Sequence, residues 1–257
     1  MKGSTVKTNQ SGVRLLDIVQ VMAYNREPIK LQDLSKKLLL PAPTVYRFLL
    51  TLIETEYVKQ NPQTLRYYLT LKLCEIANHI HENINIREIA YPALKNLAEK
   101  CKESACMVIE EDLMAVYIEK VEGPDNMIRG FQRIGKRAPL YCTGVGKLFL
   151  SEMEEPLLTK VIERGLKPFT KKTITGEEAL KAELDKIRVQ GYAMDDEECE
   201  EGARCIAAPV RDYSGKIICS VSVSGPVNRM SYEHIDEIKV YVLEAGATIS
   251  KTMGYHI

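Results

Sequence analysis

Two prolines in three residues, Pro41-Ala42-Pro43, stand between two runs of helical apolar spacing. This break constrains the front of the chain more than any other feature. Upstream, Gln32 to Leu38 makes about two helical turns; downstream, Thr44 to Glu54 gathers Val45, Phe48, Leu49 and Leu52 on one face. No helix runs through the break, because proline lacks the N–H and biases the residue before it away from helical angles. Pro43 suits the first position of the new helix, where an N–H would have no partner. The chain must therefore turn sharply between two short helices. An earlier helix, opened by Ser11 as N-cap, carries Val13, Leu16, Ile18, Val19 and Met22. After the pair, Tyr57 to Gln60 and Arg66 to Leu69 are strand-like runs around Asn61-Pro62-Gln63-Thr64-Leu65, which reads as a hairpin.

Helix, short helix, turn, helix and hairpin is the order of a winged helix-turn-helix, whose second paired helix enters the DNA major groove. Thr44, Tyr46 and Arg47 stand at the exposed start of that helix as candidate base contacts. Lys36, Lys37, Lys59 and Arg66 are candidate phosphate contacts. The plain alternative is a small helical subdomain with ordinary surface lysines. Charge favours the first reading. The chain holds 35 Lys and Arg against 35 Asp and Glu, a net charge of zero. Residues 1–72 carry 11 basic and 5 acidic side chains, whereas residues 73–257 carry 24 and 30. A basic front and an acidic back predict two domains with different partners.

Leu71 to Asn83 and Asn85 to Lys100 are again helical, and residues 73–90 are expected to act as a linker helix between residues 1–72 and 91–257. His79 and His81 are two apart, the wrong spacing for a helical metal pair. Beyond them strands and helices mix. Ala105 to Glu110, Met114 to Val121, Met127 to Phe131, Arg204 to Val210 and Ile217 to Ser224 read as strands. Helices are expected from Thr143-Gly144-Val145-Gly146 to Ser151, from a Thr175 cap to Gly191, and from Ser231 to Met253. This predicts an α+β domain around one antiparallel sheet. No run approaches the roughly 18 apolar residues of a membrane span, and Met1 to Gln10 has no apolar core of a secretory signal. Seven cysteines without CxxC spacing read as reduced thiols, and the expected location is the cytoplasm with no membrane partner.

The strand Ile217 to Ser224 puts Ser220, Ser222 and Ser224 on one face. Each hydroxyl needs a partner, so that face is either wet or the wall of a polar pocket. Gly144-Val145-Gly146 adds a helix start whose amides could hold a carboxylate. Enzyme chemistry is poorly supported. Around Gly146-Lys147 a phosphate loop would need Gly where Tyr141 stands and Ser or Thr where Leu148 stands, and Phe149 breaks a GxGxxG reading. A Cys205 nucleophile with His234 as base is conceivable, but cysteine more often packs as a small buried side chain. Cys142, Asp195, Cys199 and Cys205 would make a metal site only if their loops converged, and their spacing matches no zinc pattern. No enzyme activity, cofactor or metal is expected.

Several ordered blocks resemble the IclR family of bacterial transcriptional regulators over nearly the whole chain. They are Pro41 to Leu49, Arg137-Ala138-Pro139-Leu140, Cys142 to Lys147, Gly191 to Glu198, Gly202 to Asp212 and Ser222-Val223-Ser224-Gly225-Pro226. The resemblance implies an N-terminal winged helix, a linker helix and a C-terminal effector-binding domain of the GAF and PAS kind. It implies a homodimer or homotetramer that binds double-stranded operator DNA, acts as a repressor and responds to a small organic acid. By alignment of motifs the effector positions fall at Gly144, Val145, Asp195, Ala203, Cys205, Ser222 and Ser224, with Ala138 and Met127 beside them. A small-molecule sensor acting through protein partners is the alternative.

Overall fold

The computed structural model describes residues 8–123 and 133–256, and its internal contacts divide the chain into Met1–Ile84 and Asn85–Ile257. In the first unit α1 (Gln10–Tyr24), α2 (Leu31–Leu38) and α3 (Ala42–Glu54) close around Ile18, Leu34, Val45 and Leu49, all fully buried. Asn9, not Ser11, is the N-cap of α1: its carboxamide oxygen accepts the Ser11 and Gly12 amides at 3.0 and 3.3 Å. Helix α3 starts one residue before Pro43, which occupies its second position and still needs no N–H partner. The turn between α2 and α3 passes through Leu39 in the left-handed region, φ 53°. That conformation costs a non-glycine residue roughly 1–2 kcal/mol. The Ser35 hydroxyl helps hold the turn by donating to the Leu40 carbonyl at 2.5 Å.

The hairpin forms as β1 (Val58–Gln60) and β2 (Tyr67–Leu69), antiparallel, with Val58 opposite Leu69. Ile29 extends it through reciprocal backbone bonds with Tyr67 of 2.9 and 2.8 Å. The Asn61 side chain accepts the Gln63 and Thr64 amides and so shapes the tip. Helix α4 (Lys72–Asn83) follows, its Lys72 ammonium bonded to the Thr55 carbonyl at 2.9 Å.

The second unit opens with α5 (Ile86–Cys101), capped by the Asn85 side chain on the Arg87 amide. Residues 73–90 thus straddle the division, with α4 on one side and α5 on the other. The strands are β3 (Ser104–Glu111), β4 (Met114–Val121), β5 (Arg137–Pro139), β6 (Ala193–Asp196), β7 (Ala203–Arg211) and β8 (Ile217–Pro226). They form one antiparallel sheet in the order β5-β4-β3-β8-β7-β6. The helices are α6 (Gly144–Glu152), α7 (Glu155–Glu163), α8 (Glu177–Gln190) and α9 (Tyr232–Thr252). Helices α5 and α9 cover the face bearing Ala105, Met107, Ile206, Ala208, Val221 and Val223. Helices α6 and α8 lie over the opposite face, with Cys106, Val108, Ala193 and Ala207.

The α+β expectation therefore holds, with differences in detail. Gly176, not Thr175, precedes α8. Two short strands, β5 and β6, and helix α7 were not read from the sequence. The strand expected at Met127 to Phe131 lies outside the described residues. Among the described residues no helix is long and apolar enough to cross a membrane.

Close packing at the start of α6 positions everything near it. A Cβ on Gly146 would sit 2.3 Å from the Leu140 carbonyl oxygen and 2.4 Å from its Cα. A Cβ on Gly144 would meet the backbone of β6 only at 3.4 Å, ordinary contact. Gly146→Ala is therefore expected to destabilise the protein by about 1–3 kcal/mol, beyond any gain in helix propensity, while Gly144→Ala stays close to neutral. Thermal unfolding of both variants checks this; equal midpoints would show that α6 does not seat against Leu140 in this way.

Candidate functional site

The first candidate surface is the start of α3. Val45 and Leu49 anchor the helix to the core, so Tyr46 and Arg47 are turned outward and exposed, with Thr44 half-buried beside them. Phe48 and Leu52 complete the inward face, Phe48 only partly buried. Lys36 and Lys37 lie exposed in the last turn of α2, where Lys37 donates to the Asn25 side chain at 2.7 Å. Lys59 is exposed on β1. Arg66 is partly engaged: its guanidinium donates to the Pro28 carbonyl at 3.1 Å and lies 3.9 Å from the Glu27 carboxylate. The candidate contacts are thus polar and cationic side chains from α2, α3, β1 and the hairpin, with α3 fixed by its own apolar face.

The second is a cavity of about 240 Å³ at one end of the six-stranded sheet. It is smaller than the roughly 300–1,000 Å³ of most small-molecule sites. Ala138, Asp195, Ala203, Cys205 and Ser224, all expected from the sequence, line it. Register explains the convergence: Ser224 of β8 pairs with Ser104 of β3 on one side and Cys205 of β7 on the other, and Cys205 pairs with Asp195 of β6. Gly144 and Val145 are buried behind this wall in the first turn of α6, and Met127 is outside the described residues. Ser222 lies one step deeper in β8 beside Cys205.

The serine face is not wet. Ser220 and Ser222 are buried under α6, and the Ser220 hydroxyl finds no hydrogen-bond partner. Only its Ser224 end reaches the cavity. Several lining residues were not picked out as effector contacts in the sequence: Ser104, Tyr117, Lys136, Thr143, Cys199 and Arg204. Thr143 carried a legible signal, since it caps α6 by accepting the Gly146 amide at 3.1 Å. Tyr117 and Ser104 carried none, because their roles follow from strand register alone.

Charge around the cavity is closely balanced. Arg204 is buried, bonded to Asp196 at 2.6 and 2.7 Å and to the Met230 carbonyl, and stacked 4.1 Å over the Tyr232 ring. Asp196 consequently sits at about 2, below the usual carboxylate range: bonds from Tyr232, Lys172 and Arg204 outweigh the opposing effect of its partial burial. Asp195 behaves oppositely. Burial pushes its carboxyl up to about 7 and Glu198 adds to the rise, although the Glu198 and Cys199 amides both donate to Oδ1 at 2.7 and 3.2 Å. The cavity therefore presents a carboxyl that is neutral below neutral pH, with the hydroxyls of Ser104, Ser224 and Tyr117 in the same wall.

Among the described residues the Cys205–His234 pair considered from the sequence does not come together. Strand β7 sends Cys205 to the α6 side of the sheet and Ile206 and Ala208 to the α9 side, so His234 in the first turn of α9 is across the sheet from Cys205. His234 is instead paired with the Ser231 hydroxyl at 3.0 Å. Among the described residues no group of three or more His, Cys, Asp or Glu side chains is placed to hold a metal.

An amphipathic helix pair with a wing, followed by a sheet domain with a cavity lined in part by polar side chains, is the architecture of a ligand-responsive helix-turn-helix regulator. Residues 12–62 match the IclR helix-turn-helix domain, and residues 78–251 match the bacterial transcriptional regulator IclR C-terminal domain. The chain is 37% identical over 247 residues to the HTH-type transcriptional regulator KdgR of Escherichia coli, covering 96% of this chain and 93% of that protein. It is 28% identical over 248 residues to the transcriptional repressor IclR of Escherichia coli, covering 95% and 90%. The crystal structure of Thermotoga maritima IclR is similar at a TM-score of 0.63 and 30% identity, covering 95% of this chain and 99% of that one. This chain belongs to the IclR family: it is a DNA-binding transcriptional regulator modulated by an effector, not an enzyme.

The raised Asp195 carboxyl has a measurable consequence. Its unfolded counterpart ionises near 3.8, its folded form near 7, so between those values the unfolded chain is charged and the folded one is not. Stability contributed by this group is greatest below about pH 4 and falls as pH rises to about 7. Asp195→Asn keeps an oxygen for the two amides and removes the titration. Its unfolding midpoint relative to the parent is expected to be higher at pH 8 than at pH 5; a pH-independent difference would place the carboxylate in a solvated setting.

Proposed function

We propose that the protein is a cytoplasmic repressor that binds a palindromic duplex operator as a homodimer or homotetramer and is controlled by a small organic acid in the C-terminal cavity. Residues 1–72 form the DNA-binding domain, residues 73–90 the linker, made of α4 and the start of α5 rather than one continuous helix, and residues 91–257 the effector domain. The observation that carries this reading is the cavity wall. It brings Asp195, Cys205, Ser224 and Ala138 from four strands to one small open cavity with hydroxyl donors. A carboxylate ligand needs donors there, and Arg204 is already committed to Asp196. Ser104, Tyr117, Ser224 and the protonated Asp195 supply neutral donors, with Lys136 as the cationic side chain of the same wall and the amides that open α6 behind them. A relative named as a repressor, IclR of Escherichia coli, supports repression as the output. Thr44, Tyr46 and Arg47 are assigned to base edges, and Lys36, Lys37, Lys59 and Arg66 to phosphates.

These assignments predict different losses. Arg47→Ala is expected to weaken specific operator binding by about 1–3 kcal/mol and leave non-specific duplex binding nearly unchanged. Lys59→Gln should weaken both alike and lower the salt slope by about one. Fluorescence anisotropy with a duplex drawn from the DNA beside the gene, at several salt concentrations, separates them. Equal losses on both duplexes for Arg47→Ala would demote it to a phosphate contact.

At the other end of the chain, calorimetry with a panel of short organic acids is expected to find one that binds and shifts operator affinity. Ser224→Ala should reduce its affinity several-fold without touching operator binding by the free protein. An effector whose binding ignores Ser224→Ala, Ser222→Ala and Asp195→Asn alike would move the site elsewhere.

A further inference from the structure

Helix α3 has an outer face that the core does not explain. At about 3.6 residues per turn, Val45, Leu49 and Leu52 share the buried side, and Pro43, Leu50 and Glu54 lie opposite, flanked by Tyr46 and Arg47. All five outer residues are exposed, Leu50 to 46% and Tyr46 to 43%. Leu50 adds little to the folded unit, whose core is already closed by Ile18, Leu34, Val45 and Leu49. Thr51, beside it, spends its hydroxyl within the helix by donating to the Arg47 carbonyl at 3.3 Å. Glu54 ends the stripe with a charge that phosphate repels. Ahead of Glu54 the outer face therefore offers one guanidinium, one phenol hydroxyl and the apolar surfaces of Pro43, Tyr46 and Leu50.

We infer that Leu50 is a specificity residue that reads thymine through its 5-methyl group in the major groove of the operator. The inference rests on the operator reading above, in which α3 enters that groove. The base edges there present hydrogen-bond donors and acceptors at every pair, and the thymine methyl is their apolar feature. Leucine has nothing to exchange with a polar edge: against guanine, cytosine or adenine it strips water and returns no bond. Against the methyl, two apolar surfaces leave water together. Leu50 therefore favours one base by attraction and disfavours the others by desolvation. Three residues beyond Arg47, it stands about 4.5 Å farther along the helix axis, little more than one base-pair step. The thymine is thus expected within about two base pairs of the base under Arg47.

Charge decides between DNA and a second copy of the chain as the occupant of this face. Arg47 shares the face with Leu50, and Lys36 and Lys37 lie exposed at the end of α2, the helix packed against α3. Two copies meeting through this face would bring these cations together, whereas duplex phosphates attract all three. The backbone under Leu50 is already fixed by the buried side of α3, so ordering it against a base costs only side-chain freedom.

The test uses the full-length protein and a duplex that it binds specifically, with each thymine replaced in turn by deoxyuridine, which pairs identically and lacks only the methyl. For the parent, replacement at one or two thymines per half-site is expected to lower affinity about fourfold, the loss of one buried methyl. Leu50→Ala, an exposed change to the best helix former, should lose at least about fourfold on the thymine duplex and no longer distinguish it from the deoxyuridine one. Arg47→Ala should keep that distinction. A parent indifferent to every replacement, or a preference that survives Leu50→Ala, overturns the inference and leaves the operator reading standing. A parent that binds no duplex specifically overturns both. A Leu50→Ala variant that loses DNA because its oligomeric state changes, seen by size-exclusion chromatography, assigns the face to contact between copies and overturns the inference as well.

Discussion

An ammonium group with no solvent exposure anchors the effector domain. Lys147 projects from α6 into the interior, where Glu198 binds it directly and Glu183 of α8 stands 3.5 Å away. Removing one partner of such a buried pair costs about 3–5 kcal/mol, because the other charge is left in a poor solvent. The pair therefore fixes three separate pieces of chain: α6, α8 and the segment after β6. Gly146, next in line, lets α6 approach Leu140 closely enough for Lys147 to reach inward. With Glu198 held, its amide and that of Cys199 close onto Asp195, and Thr173 and Thr170 clamp the Glu198 and Glu197 carbonyls at 2.6 Å each. The rim of the cavity is shaped by these side chains, without regular secondary structure between Asp196 and Ala203.

The electrostatic character of the cavity follows from the same arrangement. Asp195 and Asp196 are consecutive on β6, so they point to opposite faces of the sheet. Asp196 meets Arg204, Lys172 and Tyr232 and stays charged; Asp195 meets burial and Glu198 and holds its proton far higher. One dyad of aspartates thus yields a structural anion and a carboxyl neutral below about pH 7. With Arg204 occupied on one side, the wall combines hydroxyl donors and the Asp195 carboxyl with the Lys136 ammonium and the rim carboxylates of Glu200 and Glu201. Recognition by hydrogen bonds suits a small polar ligand in a small cavity, where each donor left unpaired is costly.

Much of this was legible from the sequence, for local reasons. The Pro41 and Pro43 break and the apolar spacing around it lie within a few residues of each other, and α2, the turn and α3 follow from them. Long strands announced themselves by alternation, but β5 and β6, of three and four residues, are too short to show a period. The alternation of Ser220, Ser222 and Ser224 was read with a wet face and a pocket wall both left open; Ser224 lines the cavity, whereas nothing near β8 in sequence says that α6 covers Ser220 and Ser222. Asp195, Ala203 and Cys205 were reached through resemblance, not through spacing. The burial of Lys147 and the packing of Cys199 against the apolar cluster under the sheet depend on tertiary packing, which no local pattern encodes.

A net charge of zero conceals two different surfaces. The basic excess lies in the unit whose core is built on Ile18, Leu34 and Val45, and the acidic excess largely in the unit built around the six-stranded sheet. Many of the acids in the second unit are committed to ion pairs, such as Glu111 with Arg137, Glu152 with Arg211 and Glu155 with Lys181. Separate cores mean that the groups reading DNA and the groups enclosing the cavity are held by different side chains. Regulation then requires a difference in effector affinity between the DNA-bound and free states, and the operator must alter effector affinity by the same factor. Filling the cavity is not sufficient: a ligand that stiffens its rim equally in both states leaves the operator untouched, however tightly it binds.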